Sequence, residues 1–191
     1  MSELFDRGLR FATRKHAGQV RKFSALPYIL HPIEVAVIIS TMTDDEDAMV
    51  AGLLHDTLED TETTPEEIKE EFGAHILALV SSESEDKLGN QPADLTWKQR
   101  KEDSLLSLEH TKNINVKIMW LADKLSNMRS FYRLHMKMGD SIWLQLNQKD
   151  KKEQEWYYRT VAELVPELKD TAAYMEYTEL LDKVFGGQNN D

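Results

Sequence analysis

The sequence predicts an all-α protein on three observations. Apolar residues recur at helical spacing through nearly every segment, segment ends carry helix-capping residues, and no internal repeat or low-complexity tract interrupts them. Ser2 can cap a first helix in which Phe5, Leu9 and Ala12 share one face, with Gly18 just past its end. A polar, basic loop follows, GQVRKFSALPY (18–28). A second helix is predicted from HPIEVAVIISTM, with Pro32 suited to the first helical position, where its missing N–H goes unused. The third, DDEDAMVAGLLHDTLED (44–60), opens with acids in its first turn, where the helix dipole favours them. Its middle is apolar nearly all round, the pattern of a central buried helix.

Thr64 and Glu67 form a capping box in TTPEEIKEEFG, with Pro65 at the start and Gly73 at the end, and a short helix AHILALVSS follows. The stretch ESEDKLGNQPAD is polar and turn-rich, a surface loop. Thr96 is expected to cap WKQRKEDSLLSLEH, and INVKIMWLADKLSNMRSFYRLH reads as another strongly apolar helix. Helices around KEQEWYYRTVAELV and over PELKDTAAYMEYTELLDKVF complete the body. With no convincing linker, one domain is expected over 1–185, with 186–191 (GGQNND) a flexible tail.

Composition narrows the function classes. The 191 residues suit one domain with a substantial core. The absence of cysteine excludes disulfides and thiolate metal sites, so any metal must be held by His, Asp or Glu. No apolar run is long enough for a membrane span, and the acidic N-terminus does not read as a secretory signal, so a cytoplasmic protein is expected. A net charge of −11 argues against nucleic-acid or membrane-surface binding. A small anionic ligand would need a local basic patch or a metal.

Several polar residues interrupt apolar helix. In the third helix His55 and Asp56 are adjacent, and the i, i+4 relation sets Glu59 beneath His55 and Asp60 beneath Asp56. Asp123 interrupts the apolar stripe of LADKLSNMRS, with Asn127 one turn on, and His31 immediately precedes Pro32. Two histidines and two aspartates from three segments make a mixed N/O ligand set for a divalent ion, which would replace the lost solvation of the carboxylates. Each residue alone has a plainer reading. His31 could be a satisfied core or capping residue, Asp123 could pair with Lys124 or Arg129, and Glu59 and Asp60 could be the wet end of a helix. The ensemble favours the ligand set, because each sits where the pattern calls for an apolar residue.

The order His31, His55-Asp56, Asp123 reproduces the H…HD…D pattern of the HD-domain phosphohydrolases. HAGQVRKFSALPYILHPIEVA, LLHDTLEDTETTPEEIKEEFG and LADKLSNMRSF resemble the hydrolase domain of the RelA/SpoT alarmone enzymes, and especially the small stand-alone alarmone hydrolases, over residues 1–135. After the FG helix the long enzymes continue with a segment like DGVTK. Here the stretch is SSESEDKLGNQPADLTWKQRK, closer to the stand-alone proteins.

The resemblance implies a helical bundle of the HD type with a metal site between its central helices. One divalent ion, usually Mn2+, would be held by His31, His55, Asp56 and Asp123. It further implies hydrolysis of guanosine tetra- and pentaphosphate at the 3′ position to GDP or GTP and pyrophosphate. Glu59 and Asp60 match the catalytic acidic pair, Arg21 and Lys22 the basic loop, and Asn127 a nucleotide-pocket residue. Two other functions fit the same motifs: hydrolysis of another phosphorylated nucleotide such as NADPH, and nucleotide sensing without turnover. The Glu59-Asp60 pair argues against a pure sensor. Trp156, Tyr157 and Tyr158 could border a base-binding pocket, with core packing the expected role for most of the cluster.

Overall fold

In the computed structural model, which describes residues 2–22, 24–83 and 92–186, the apolar stretch Ala48–Leu54 becomes the centre of a helical layer. Helix α3 (Glu46–Leu54) packs against α1 (Glu3–Lys15), α2 (Leu30–Ser40) and α5 (Pro65–Ser81), and α4 (Thr57–Asp60) follows it directly. An all-round apolar helix needs neighbours on every side, and α3 has them. Close approach is possible because of glycine: a methyl group built on Gly52 would run into Ile39 of α2. The remaining helices are α6 (Ala93–His110), α7 (Ile114–Met138), α8 (Lys151–Leu164) and α9 (Ala172–Phe185), with 3-10 segments at Gly139–Gln145 and Pro166–Leu168. No strand occurs among the described residues; the nearest feature is one antiparallel bridge, Val20 with Pro27.

The chain divides into two compact units. The first comprises residues 1–84 with 113–123, and so holds α1 to α5 and the start of α7. Inside it, Phe11 of α1 meets Phe72 of α5 edge-on at 5.3 Å, and the Lys15 ammonium bonds Glu67 at 2.7 Å. The Asn115 amide donates to Asp45 at 2.6 Å, pinning the start of α7 to the residue that caps α3. The second unit comprises 85–112 with 124–191, where α8 packs against α6 and α9. Trp143 stacks on Phe185 at 5.2 Å, and Tyr157 and Tyr158 are buried, so packing absorbs these two tyrosines; Trp156 is only half-buried.

Most elements lie where the pattern placed them. Ser2 caps α1, Thr64 accepts from the Glu67 amide, and Gly73 at φ +89° breaks α5 into two helical stretches. Four boundaries differ. Helix α2 begins at Leu30, so Pro32 is its third residue rather than its first, still within the turn whose N–H groups have no helical partner. The third helix ends at Leu54 instead of running to Asp60, for a local reason. His55 Nδ1 takes the Gly52 carbonyl at 2.8 Å and Thr57 Oγ1 takes the Leu54 carbonyl at 2.7 Å, so side chains occupy acceptors that a continuing helix would use. Helix α6 starts at Ala93, placing Thr96 inside it with its hydroxyl back-bonded to the Pro92 carbonyl instead of capping. The last predicted helix splits: Pro166–Leu168 is a 3-10 turn, and Thr171 caps α9 by accepting from the Tyr174 amide. Most of the expected loop 83–94 and all but Gly186 of the tail lie outside the described residues.

Candidate metal centre

Three segments of the first unit bring four side chains together. His31 is the second residue of α2, His55 and Asp56 form the junction between α3 and α4, and Asp123 lies on α7. His31 Nε2 lies 3.0 Å from Asp123 Oδ1 and 3.5 Å from Asp56 Oδ2. His55 Nε2 lies 3.0 Å from Asp56 Oδ2 and 3.8 Å from Asp123 Oδ1. The ligand atoms of His31, His55 and Asp123 all fall within 4.8 Å of one another, and all three residues are buried. Asp123 therefore lies among the histidines, while Arg129 forms a two-point ion pair with Glu176 in the second unit.

The break after Leu54 sets His55. Its Nδ1 faces the Gly52 carbonyl, which can only accept, so Nδ1 carries a proton and Nε2 is the nitrogen left to face the cluster. That Nε2 is fully buried and makes no hydrogen bond, although Asp56 Oδ2 is 3.0 Å away. A buried nitrogen of this kind leaves an unmet interaction of the kind an ion satisfies. The spacing agrees. Adjacent ligands about 2.1 Å from a six-coordinate ion are about 3 Å apart, close to the shortest separations here. Two imidazoles and two carboxylates, with no thiolate, suit a first-row divalent ion, and the donor set fits one.

The charges show the same demand. Burial would raise the Asp56 carboxyl, but the two histidines, His55 above all, outweigh it and hold the group well below the usual carboxylate range. Burial would lower His55, yet Asp56 and Asp123, aided by Glu83, push its imidazole up to about 10. Burial prevails at His31, which stays below its ordinary value despite Asp123 and Asp56. Without a cation, the cluster balances its buried carboxylates by keeping a proton on His55.

Glu59 and Asp60 lie on the single turn α4, one half-buried and the other exposed, with the Asp60 amide bonded to the Asp56 carbonyl at 2.9 Å. Arg21 and Lys22 lie in the loop between α1 and α2, closed by the Val20–Pro27 bridge and by the Arg21 amide on the Leu26 carbonyl. The Arg21 guanidinium lies 5.7 Å from the centre of the Tyr28 ring. Asn127 follows Asp123 by one turn on α7, in the portion assigned to the second unit.

Three contributors carried no assigned role in the sequence. The Tyr28 hydroxyl donates to Asp56 Oδ2 at 2.5 Å, and burial together with that carboxylate raises its phenol far above the ordinary value, so it remains a donor. Gln19 reaches from the loop to the Asp60 carbonyl at 2.6 Å and holds His16 Nδ1 at 2.8 Å. His16 is buried against the Tyr28 ring at 4.9 Å. The available signal was spacing: Tyr28 lies three residues before His31, as Gln19 lies three after His16.

Known proteins resemble the chain in family, sequence and fold. A family model described as an HD domain matches residues 8–150. An Arabidopsis thaliana protein named putative GTP diphosphokinase RSH1, chloroplastic, is 42% identical over 147 residues, which is 73% of this chain but 16% of that one. The chain thus spans about a sixth of the length of such relatives. The human guanosine-3′,5′-bis(diphosphate) 3′-pyrophosphohydrolase MESH1 is 40% identical over 126 residues, 64% of this chain and 66% of its own. A solved structure described as a metazoan ortholog of SpoT that hydrolyses ppGpp superposes with a TM-score of 0.77 at 25% identity, covering 96% of both chains.

Proposed function

Because the chain belongs to the HD-domain family, we propose that it is a metal-dependent guanosine 3′,5′-bis(diphosphate) 3′-pyrophosphohydrolase acting in the cytoplasm. The observation that carries this reading is the convergence of His31, His55, Asp56 and Asp123, with the buried His55 Nε2 facing both carboxylates. The substrate class rests on the names of the human and metazoan relatives. The described residues contain no helix long and apolar enough to cross a membrane.

In this reading the four residues hold one divalent ion, with Mn2+ the assignment, which supplies Lewis acidity toward water and toward a phosphate oxygen. Glu59 or Asp60 accepts the proton of a water whose oxygen forms a bond to the phosphorus next to the ribose 3′-oxygen. The bond between that phosphorus and the 3′-oxygen breaks, the acidic pair gives its proton to the 3′-oxygen, and pyrophosphate leaves with GDP or GTP. Arg21 and Lys22 pair with the anionic oxygens of the 3′-pyrophosphate, the arginine through its fork of donors. Asn127 offers an amide to the nucleotide. Leu54 and Ala122, next in sequence to His55 and Asp123, are buried, and a low-polarity surround strengthens each of these charge interactions.

The test is turnover of a nucleotide panel by purified protein with Mn2+. Guanosine tetraphosphate should release pyrophosphate and GDP in equal amounts. Release of inorganic phosphate from a 2′- or 3′-phosphorylated cofactor, with guanosine tetraphosphate untouched, would move the assignment to another phosphorylated nucleotide. Tight binding of nucleotide without any product would make it a sensor.

A further inference from the structure

We infer that Tyr28 is a positioning residue for the metal centre: its hydroxyl sets the Asp56 carboxylate, and its ring ties that carboxylate to the basic loop. The inference rests on the metal reading of the cluster. Its first support is where the hydroxyl goes. Tyr28 donates to Asp56 Oδ2, the same oxygen that lies 3.0 Å from His55 Nε2 and 3.5 Å from His31 Nε2. One carboxylate oxygen is thus the meeting point of a donor and two prospective ligands, and it has lone pairs for both a hydrogen bond and an ion.

The second support is what Asp56 lacks. It occupies the N-cap position of α4 but makes no capping hydrogen bond, so the backbone of its own turn does not orient the carboxylate. Partners that orient a ligating group are worth roughly 10- to 100-fold in metal affinity or activity. The third support is the ring, which has His16 at 4.9 Å, His31 at 5.9 Å and the Arg21 guanidinium at 5.7 Å. The side chain that orients Asp56 is therefore also the platform for the phosphate-binding arginine.

Tyr28→Phe removes the hydroxyl and leaves the ring. Mn2+ is titrated into metal-free wild type and variant, and unbound ion is read from its electron paramagnetic resonance signal. The variant should bind Mn2+ about 10- to 100-fold more weakly with unchanged helical ellipticity, and excess Mn2+ should restore much of its kcat. Tyr28→Leu, which also removes the platform, should keep a raised KM for guanosine tetraphosphate that excess Mn2+ does not relieve. Equal Mn2+ affinity in wild type and Tyr28→Phe would overturn the inference while leaving the metal reading intact. So would a Tyr28→Phe defect in kcat that excess Mn2+ cannot touch, because the hydroxyl would then act on substrate. A wild-type protein that binds no Mn2+ would sink the metal reading, and this inference with it.

Discussion

Glu59 and Asp60 differ in surroundings although they are neighbours, and the difference bears on which takes the proton. Glu59 is half-buried, whereas Asp60 is exposed and its carbonyl is held by Gln19. The ligand atoms that group together are those of His31, His55 and Asp123, so Glu59→Gln and Asp60→Asn should leave stoichiometric Mn2+ by elemental analysis. General acid–base groups contribute typically about 10²–10⁴-fold, so at least one of these variants should lose turnover on that scale. Near-normal rates in both singles and the double would reduce α4 to a helical turn. Arg21 gives a separable outcome. A charge-assisted hydrogen bond to phosphate is worth about 1.5–3 kcal/mol, so Arg21→Ala should lower kcat/KM for guanosine tetraphosphate by about 10- to 100-fold. Steady-state kinetics on a substrate with one phosphate at the scissile position should show a smaller loss, since fewer anionic oxygens need pairing.

Two glycines shape the helices of the first unit in different ways. Gly52 sits at the contact of α3 with α2, where an added methyl would meet the fully buried Ile39 and approach Val35. The Gly52 carbonyl also orients His55. Gly52→Ala should therefore cost about 1–3 kcal/mol, read as a lower urea midpoint, and should also weaken Mn2+ binding. Gly73 has open space around it, but its φ of +89° and ψ of 166° suit glycine alone. Gly73→Ala should cost about 1–3 kcal/mol through backbone strain and leave Mn2+ affinity unchanged, because α5 supplies no ligand. These elements also show what local chemistry reveals. Thr64 and Gly73 announced a start and a stop that the chain uses. Thr96 carried the same capping chemistry yet lies inside α6, because a threonine hydroxyl can back-bond within a helix as readily as cap one.

For the molecule as a whole, an ion bound only by the folded state adds about RT ln(1 + [L]/Kd), or about 2.7 kcal/mol at a hundredfold excess over Kd. For a chain of this size each kcal/mol moves the melting midpoint by about 2–4 °C, so saturating Mn2+ should raise it by roughly 5–10 °C in a calorimetric scan. A chelator should reverse the shift, and Asp56→Ala should abolish both the shift and activity. A shift that survives in Asp56→Ala would place the bound ion elsewhere.

Helical class, most caps and the anomalous polar positions were legible from residue order, because periodicity and capping act over a few residues. His31, His55, Asp56 and Asp123 stood out for the same reason, each breaking a local apolar pattern. Periodicity cannot bring α2, the α3–α4 junction and α7 together. That depends on packing around α3, on the Asn115–Asp45 bond that sets the start of α7, and on the tight approach at Gly52. The end of α3 at Leu54 was also hidden, since apolar pattern alone does not reveal that His55 and Thr57 will take backbone carbonyls. The bond from Tyr28 to Asp56 lay furthest out of reach. It exists only because a loop closed by the Val20–Pro27 bridge brings a phenol to a carboxylate on another helix, a contact between distant residues that tertiary packing alone sets.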